Sequence, residues 1–181
     1  MLGLMLLAAG PARAETTIDV ASAADLVSAL TTIDTTPGDY TINITADITL
    51  DSSTTLPAIT GGTNDVTIKG HNHTLNGGNV QRGFFVYQGT VAIGDLTIQN
   101  TTATGGAGAD NGGGGAGLGG ALFVANGATV TVSNVSLSSN GATGGTGAAG
   151  TTTTSFGGGG GLGGAGADGG GNNGGGGGGV G

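Results

Sequence analysis

His71 and His73 are the only two histidines in a chain of 181 residues. On a regular strand, positions i and i+2 point to one face, so the pair could share a metal ion. A metal site takes three or four ligands, and this chain has no cysteine and only distant acids such as Asp65. Solvated corner residues are therefore the expected reading. A second candidate is calcium. Gly105-Gly106-Ala107-Gly108-Ala109-Asp110 and Gly163-Gly164-Ala165-Gly166-Ala167-Asp168 match the first six positions of the nonapeptide G-G-x-G-x-D-x-U-x. In that repeat, Asp and glycine carbonyls from tandem copies share one Ca²⁺ while the aliphatic U residue packs inside. Here U is Gly112 or Gly170 and the copies stand alone, which is what chance produces in a text of glycine and alanine.

Polysaccharide cleavage asks for more. Hydrolysis needs two carboxylates a few ångströms apart, and lyase chemistry needs carboxylates holding Ca²⁺ together with an Arg or Lys base. Beyond Ala14 the chain has one of each base, Lys69 and Arg82, and its aspartates Asp47, Asp51, Asp65 and Asp95 are scattered singly at turns. No G-x-S-x-G elbow occurs, and both histidines fall in one repeat. No catalytic, cofactor-binding or metal-binding residue is assigned, and no cofactor is expected.

The elements that would position such groups are set by a repeat. Thr90-Val91-Ala92-Ile93-Gly94-Asp95-Leu96-Thr97-Ile98 returns as Thr129-Val130-Thr131-Val132-Ser133-Asn134-Val135-Ser136-Leu137. A third version runs from Val66 to Leu75, and a looser fourth from Thr41 to Leu50. Each is two alternating apolar runs hinged at a polar corner. Such a unit cannot bury its apolar face alone, so units must stack. Equivalent positions fall at Ile42, Val66 and Val91 with nearly equal spacing, and then at Val130 after a longer interval. That longer interval contains the glycine-rich stretch 105–120, and removing it restores the spacing of the others. Coils of about 23–25 residues suit a parallel β-helix with three short strands per turn, and the L-x-x-L-x-L pattern of leucine-rich repeats is absent.

Within this frame Ile93, Leu96, Ile98, Val130, Val132, Val135 and Leu137 should face inward. Phe84-Phe85-Val86 aligns with Leu122-Phe123-Val124, so Phe85 is expected to stack near Phe123 inside the core. Ahead of the repeats, Ser22 is followed three residues later by Asp25, a variant of the capping box. Ala23, Leu26, Val27 and Leu30 then share one helical face. A short helix from Ala23 to about Thr32, ended before Pro37-Gly38, would cover the open end of the stack.

Glycine supplies 45 residues, with 11 in positions 1–101 and 34 in 102–181. The phrase at 112–121 returns at 157–165, so both are expected as loops extruded from one corner of the stack. Glycine this dense has little apolar surface to offset its backbone entropy, and disorder is the default expectation. Packed polyproline-II strands are the alternative, since only glycine fits where backbones lie close.

The net charge of −8, with 3 Lys plus Arg against 11 acids, leaves no basic patch for nucleic acid or anionic lipid. Leu2 to Gly10 is a short apolar run, and Ala12-Arg13-Ala14 fits the small-x-small cleavage pattern, so export with a mature start at Glu15 is expected. No basic residue precedes the apolar run and the chain stops within a glycine run, which suggests a piece of a longer sequence. Four divisions result: signal peptide 1–14, cap with helix 15–39, coils 40–140 with a glycine-rich insertion 103–120, and a glycine-rich segment 141–181.

Together the export signal, the ADLVSAL helix, the DITL strand, VTIKGHNHTLNGG and TVAIGDLTIQN resemble the N-terminal part of bacterial autotransporter-type passenger domains and related surface adhesins. Gly119-Gly120-Ala121-Leu122 is similar to the GGA-aliphatic signature of polymorphic outer-membrane proteins, whose F-x-x-N partner is approached by Leu137-Ser138-Ser139-Asn140, with Leu in place of Phe. The expected fold is all-β: a right-handed parallel β-helix (solenoid) with a short N-terminal capping helix and glycine-rich loop insertions. The resemblance implies a non-catalytic protein at the cell surface or outer membrane, or secreted. Its partners would be host or cell-surface glycans or proteins, and membrane association would come only through a downstream segment. The competing expectation is a piece of a carbohydrate-active β-helix enzyme, a polysaccharide lyase or glycosidase, with its site in downstream coils.

Overall fold

The computed structural model describes residues 14–62, 64–149, 157–162 and 164–167. The expected signal peptide, the threonine run at 151–154 and Asp168 lie outside them. Among the described residues the chain is all-β apart from one helix. Strand β1 (Glu15–Val20) precedes helix α1 (Ala23–Thr35), followed by β2 (Asp39–Ile44), β3 (Ile48–Thr49), β4 (Asp65–Lys69) and β5 (Thr74–Asn76). Then come β6 (Phe84–Val86), β7 (Gly89–Gln99), β8 (Thr102–Thr104), β9 (Leu122–Val124), β10 (Ala128–Ser138) and β11 (Gly141–Thr143).

Every strand pairing among the described residues is parallel and joins one repeat to the next. The longest column runs β1, β2, β4, β7, β10. Its register places Ile18, Ile42, Ile68, Ile93 and Val132 in one row. A second column carries Ile48, Leu75, Ile98 and Leu137, and a third pairs β6 with β9. Alternation along each strand sends one residue in two to a shared core, where Ile42, Ile68 and Leu75 are wholly buried. Each such aliphatic contributes about 1.5–3 kcal/mol by leaving water.

The repeats turn at residues held in the left-handed region. Asp95 and Asn134, both at φ 52°, form one corner, and Asn100 and Ser139, at 51° and 54°, form another. Short polar side chains tolerate this conformation best. At the first corner they also bond to each other, Asn134 Nδ2 donating to Asp95 Oδ1 at 2.7 Å.

Several expectations change. The register joins Tyr40 to Val66 and Ile42 to Ile68, so the first repeat sits two positions from where the Ile42–Val66 alignment put it. A slip of two preserves which face is apolar, so alternation alone could not detect it. The stack also begins earlier: β1 pairs with β2 in front of the helix. Helix α1 continues to Thr35, beyond the expected end near Thr32. Ser22 Oγ accepts from Asp25 N at 3.2 Å and donates to Asp25 Oδ2 at 2.8 Å, fixing its start. Leu26, Leu30 and Ile33 are fully buried in the same core as Val20 and Ile44, so the helix covers the β1 end of that core.

The last repeat departs most. Val132 and Leu137 occupy the inward rows, yet they are 54% and 58% exposed, because no strand lies beyond β10 among the described residues. Val130 and Val135 are only partly buried.

Candidate functional site: a groove under a glycine layer

Where they are described, the glycine-rich stretches form a packed layer, which corrects the expectation of disorder there; 150–156 and 168–181 lie outside the described residues. Gly105 N donates to Thr143 O at 2.8 Å, continuing the β8–β11 pairing outward. Beyond it, Gly106 N donates to Gly161 O (2.9 Å), Gly108 N to Thr146 O (2.8 Å), Gly145 N to Gly115 O (2.8 Å) and Gly160 N to Gly113 O (2.9 Å). Backbone thus pairs with backbone across segments distant in sequence, which answers the entropy objection: amide hydrogen bonds replace apolar burial.

Glycine is needed here for closeness. Between 105 and 118 no glycine has a left-handed φ, so these backbones are open to any residue on torsional grounds. A Cβ at Gly106 would instead lie 1.7 Å from Gly164 O, at Gly114 1.8 Å from Gly145 O, and at Gly157 1.7 Å from Ala109 O. The chain reverses at Asp110 and Asn111, both with positive φ.

The layer lies over one flank of the coils and leaves a cavity of about 230 Å³ between them. The coil wall supplies Thr55, Gln81, Arg82, Phe85 and Thr102, while Ala116, Leu118 and Leu162 close it from the layer. Phe85 lies on the outward side of β6, between the inward-facing Phe84 and Val86. Its ring stacks on Phe123 with centroids 4.7 Å apart, and the Arg82 guanidinium sits 5.1 Å from its centroid. Aligning the repeats thus gives the aromatic pair its correct register but the wrong face. Outside the core, the pair builds the groove wall.

Arg82 Nη2 donates to Leu56 O at 3.0 Å. Burial pulls its pKa below the ordinary guanidinium value, but a guanidinium keeps its proton in proteins. Gln81 is held rigidly, Nε2 donating to Asp51 O at 2.8 Å and Oε1 accepting from Thr55 Oγ1 at 3.2 Å. The groove therefore offers a fixed cation on an aromatic face, hydroxyls and aliphatic edges. These can recognise a polar ligand; among the described residues no carboxylate lines the cavity.

The other sequence candidates fall elsewhere. His71 Nε2 lies 3.3 Å from Asn43 Oδ1 and His73 Nδ1 3.3 Å from Asp47 Oδ1, so the two imidazoles engage different partners. Asp51 accepts from Ser53 and Thr54 within its own turn, and Asp95 is held by Asn134. Lys69 is exposed on β4. Among the described residues no group of three or more His, Asp or Glu is placed to hold a metal ion. Asp110 lies at the reversal of the glycine layer.

A family model described as "Putative pectate lyase-like adhesive domain" matches residues 17–143. The chain belongs to this family. The match opens within β1 and closes at the last residue of β11, so it takes in every strand column as well as the glycine stretch between β8 and β9. A surface adhesin-type domain is what this membership supports, and an adhesive domain suggests a surface or extracellular setting. No curated protein and no solved structure matches the chain.

Proposed function

We propose that this protein is an exported, non-catalytic adhesive module of the autotransporter-passenger type. Its coils would form a right-handed parallel β-helix rod, built after removal of a signal peptide that ends at Ala14, with the helix as N-terminal cap and the glycine layer carried on one flank. The observation that carries the reading is the adhesive family match across all the strand columns. Supporting it, Asp51 is engaged within its own turn, and Asp47 and Asp95 accept from Thr74 and Asn134 of the next repeat, so these three bond to those partners and not to one another. The proposed partners are surface glycans or proteins, met laterally at the groove, where Arg82, Phe85 and Leu118 combine charge, aromatic surface and an aliphatic edge. With a net charge of −8, nucleic acid is no partner of this module.

The test is binding of the purified chain to intact cells and to immobilised surface glycans, alongside Arg82→Ala. Saturable binding that falls at least fivefold in the variant is expected. Release of unsaturated or reducing sugar ends from polysaccharide by this chain would overturn the non-catalytic reading, and saturable binding unchanged in Arg82→Ala would move the contact away from the groove.

A further inference from the structure

An asparagine followed by glycine is a pair with which a chain can modify itself. Glycine has no Cβ to hinder its own backbone nitrogen from reaching the side-chain carbon of the preceding asparagine, so the two close readily into a five-membered ring. Four such pairs fall among the described residues: Asn76-Gly77, Asn111-Gly112, Asn126-Gly127 and Asn140-Gly141. Three are tied down. Gly77 N donates to Gln99 O at 2.9 Å, and Asn76 Oδ1 accepts from Gly78 N at 2.9 Å and from Asn100 Nδ2 at 3.3 Å. Gly141 N donates to Thr101 O at 2.8 Å, while Asn140 Oδ1 accepts from Thr101 Oγ1 at 2.7 Å and its Nδ2 donates to Ile98 O at 2.9 Å. Gly112 N donates to Ala109 O at 2.7 Å inside the packed layer.

Asn126-Gly127 differs. The pair occupies the turn between β9 and β10, which Ala128 N closes by donating to Ala125 O at 3.1 Å. Both residues are exposed, and among the described residues neither the Asn126 side chain nor the Gly127 amide is hydrogen-bonded. Gly127 has φ +96°, and beyond its chain neighbours no atom lies within 4 Å of where its Cβ would be. A further repeat stacked on this one would leave the turn open. One repeat earlier, with β9 and β10 already paired onto β6 and β7, the corresponding turn still has Tyr87 51% exposed and Gln88 exposed.

We infer that Asn126 is a site of spontaneous conversion to isoaspartate. The Gly127 nitrogen gives up its proton and bonds to Asn126 Cγ. The Cγ–Nδ2 bond breaks, the proton returns to the leaving nitrogen, and ammonia departs. The cyclic imide then takes up one water. Opening at the Asn126 main-chain carbonyl carbon leaves the backbone running through Cβ and Cγ, which is isoaspartate; opening at Cγ gives ordinary aspartate. Water is the only reagent. The backbone joining the third column to the longest one gains a methylene group. A carboxylate also enters a stretch, from Asn111 to Ala167, that has no ionisable side chain. Asn126 does not line the groove, so the turn is altered without a change in the groove wall.

Incubation of the full chain at mildly alkaline pH, followed by peptide mapping with isoaspartate detection, tests this. In the folded chain the Asn126 peptide should lose ammonia at least about tenfold faster than those of Asn76 and Asn140, where two or more hydrogen bonds must open before the ring can form. The product should be isoaspartate mixed with aspartate. In denaturant those hydrogen bonds are gone, and the four pairs should converge on similar rates. A folded-state rate at Asn126 no faster than at Asn76 and Asn140 would overturn the inference. So would the same spread of rates in denaturant, which would assign the selection to neighbouring sequence and not to the fold. Aspartate without isoaspartate would overturn it as well, since that is direct hydrolysis of the side chain with no cyclic step.

Discussion

The coil body and the glycine layer are both assemblies of extended chain, yet opposite kinds of residue hold them. In the body, β-branched and aliphatic side chains fill an interior, and strand spacing follows from what those side chains need. In the layer there is no interior, and strands approach until backbone meets backbone, so any side chain at the contact is an obstacle. Glycine permits backbone contact throughout the layer, whereas in the body it serves a left-handed turn or a single close approach, as at Gly83, where a Cβ would lie 2.0 Å from Ala121 O. The body's Gly89 has φ +95°, a conformational role; Gly106 has ordinary torsions and a carbonyl where its Cβ would be.

The sharpest break in this comparison is Ile93→Asp. Ile93 is 1% exposed in the central row of the longest column, so a carboxylate there loses its water with no partner to replace it. A destabilisation of several kcal/mol is expected, read as loss of cooperative melting and of strand dichroism. An unchanged melting temperature would show that the body does not depend on its interior as argued.

Gly106→Ala should do the converse. A single methyl would displace the strand holding Gly164 while leaving the coil core untouched. Hydrogen exchange reads both regions at once. In the native chain, amides of Gly106, Gly108, Gly145 and Gly160 should be protected alongside those of β7. In Gly106→Ala the layer amides should exchange at least tenfold faster, while β4 and β7 keep their protection. Native layer amides that exchange as fast as an unstructured peptide would instead restore the disordered-loop expectation.

How much of this difference is legible in the sequence follows from what carries the information. The repeated strand-corner-strand phrase places Val66, Val91 and Val130 in register, whereas alternation without a close repeat leaves the first unit two positions out. Alternation does not reveal β1, because Thr16 and Thr17 present a weak alternation and most of that strand is exposed. The Phe85–Phe123 pairing is legible from the aligned repeats, but not its face, because all three residues of Phe84–Val86 are apolar and no polar residue marks the outside. The groove stays hidden because one side of its wall is the layer. In the layer side-chain pattern is silent, and the usable signal is the phrase at 112–121 repeated at 157–165, two segments that bond to each other through Gly160 N and Gly113 O.

Asn134→Ala probes the corner at smaller amplitude. Alanine would hold a left-handed φ of 52° at about 1–2 kcal/mol and lose the 2.7 Å bond to Asp95. The effect should appear as a modest drop in melting temperature, with the hydrogen exchange of the layer unchanged. Replacement by glycine should restore most of the torsional loss while leaving the hydrogen bond missing, separating the two causes. Equal losses for alanine and glycine would mean the corner depends on the side-chain bond and not on its torsion.

The smallest expected effect concerns acid, and it again divides the two regions. In the body, hydrogen bonds from the Ser53 hydroxyl and amide, then from Thr54, hold the Asp51 carboxyl below its ordinary value of 3.8. A carboxylate depressed in the folded state stabilises fully above its unfolded pKa and loses that contribution as pH falls through the folded value. Asp51 is fully exposed, so the contribution is screened and small. The stability gap between the native chain and Asp51→Ala should therefore be constant at neutral pH and narrow below pH 3.8. The layer carries no ionisable side chain from Asn111 to Ala167, so its amide protection, corrected for intrinsic exchange, should stay level over the same acid range while the Asp51 turn loosens. A layer that loses protection in step with that turn would show the two regions to be energetically coupled, and the separation drawn between them would fail.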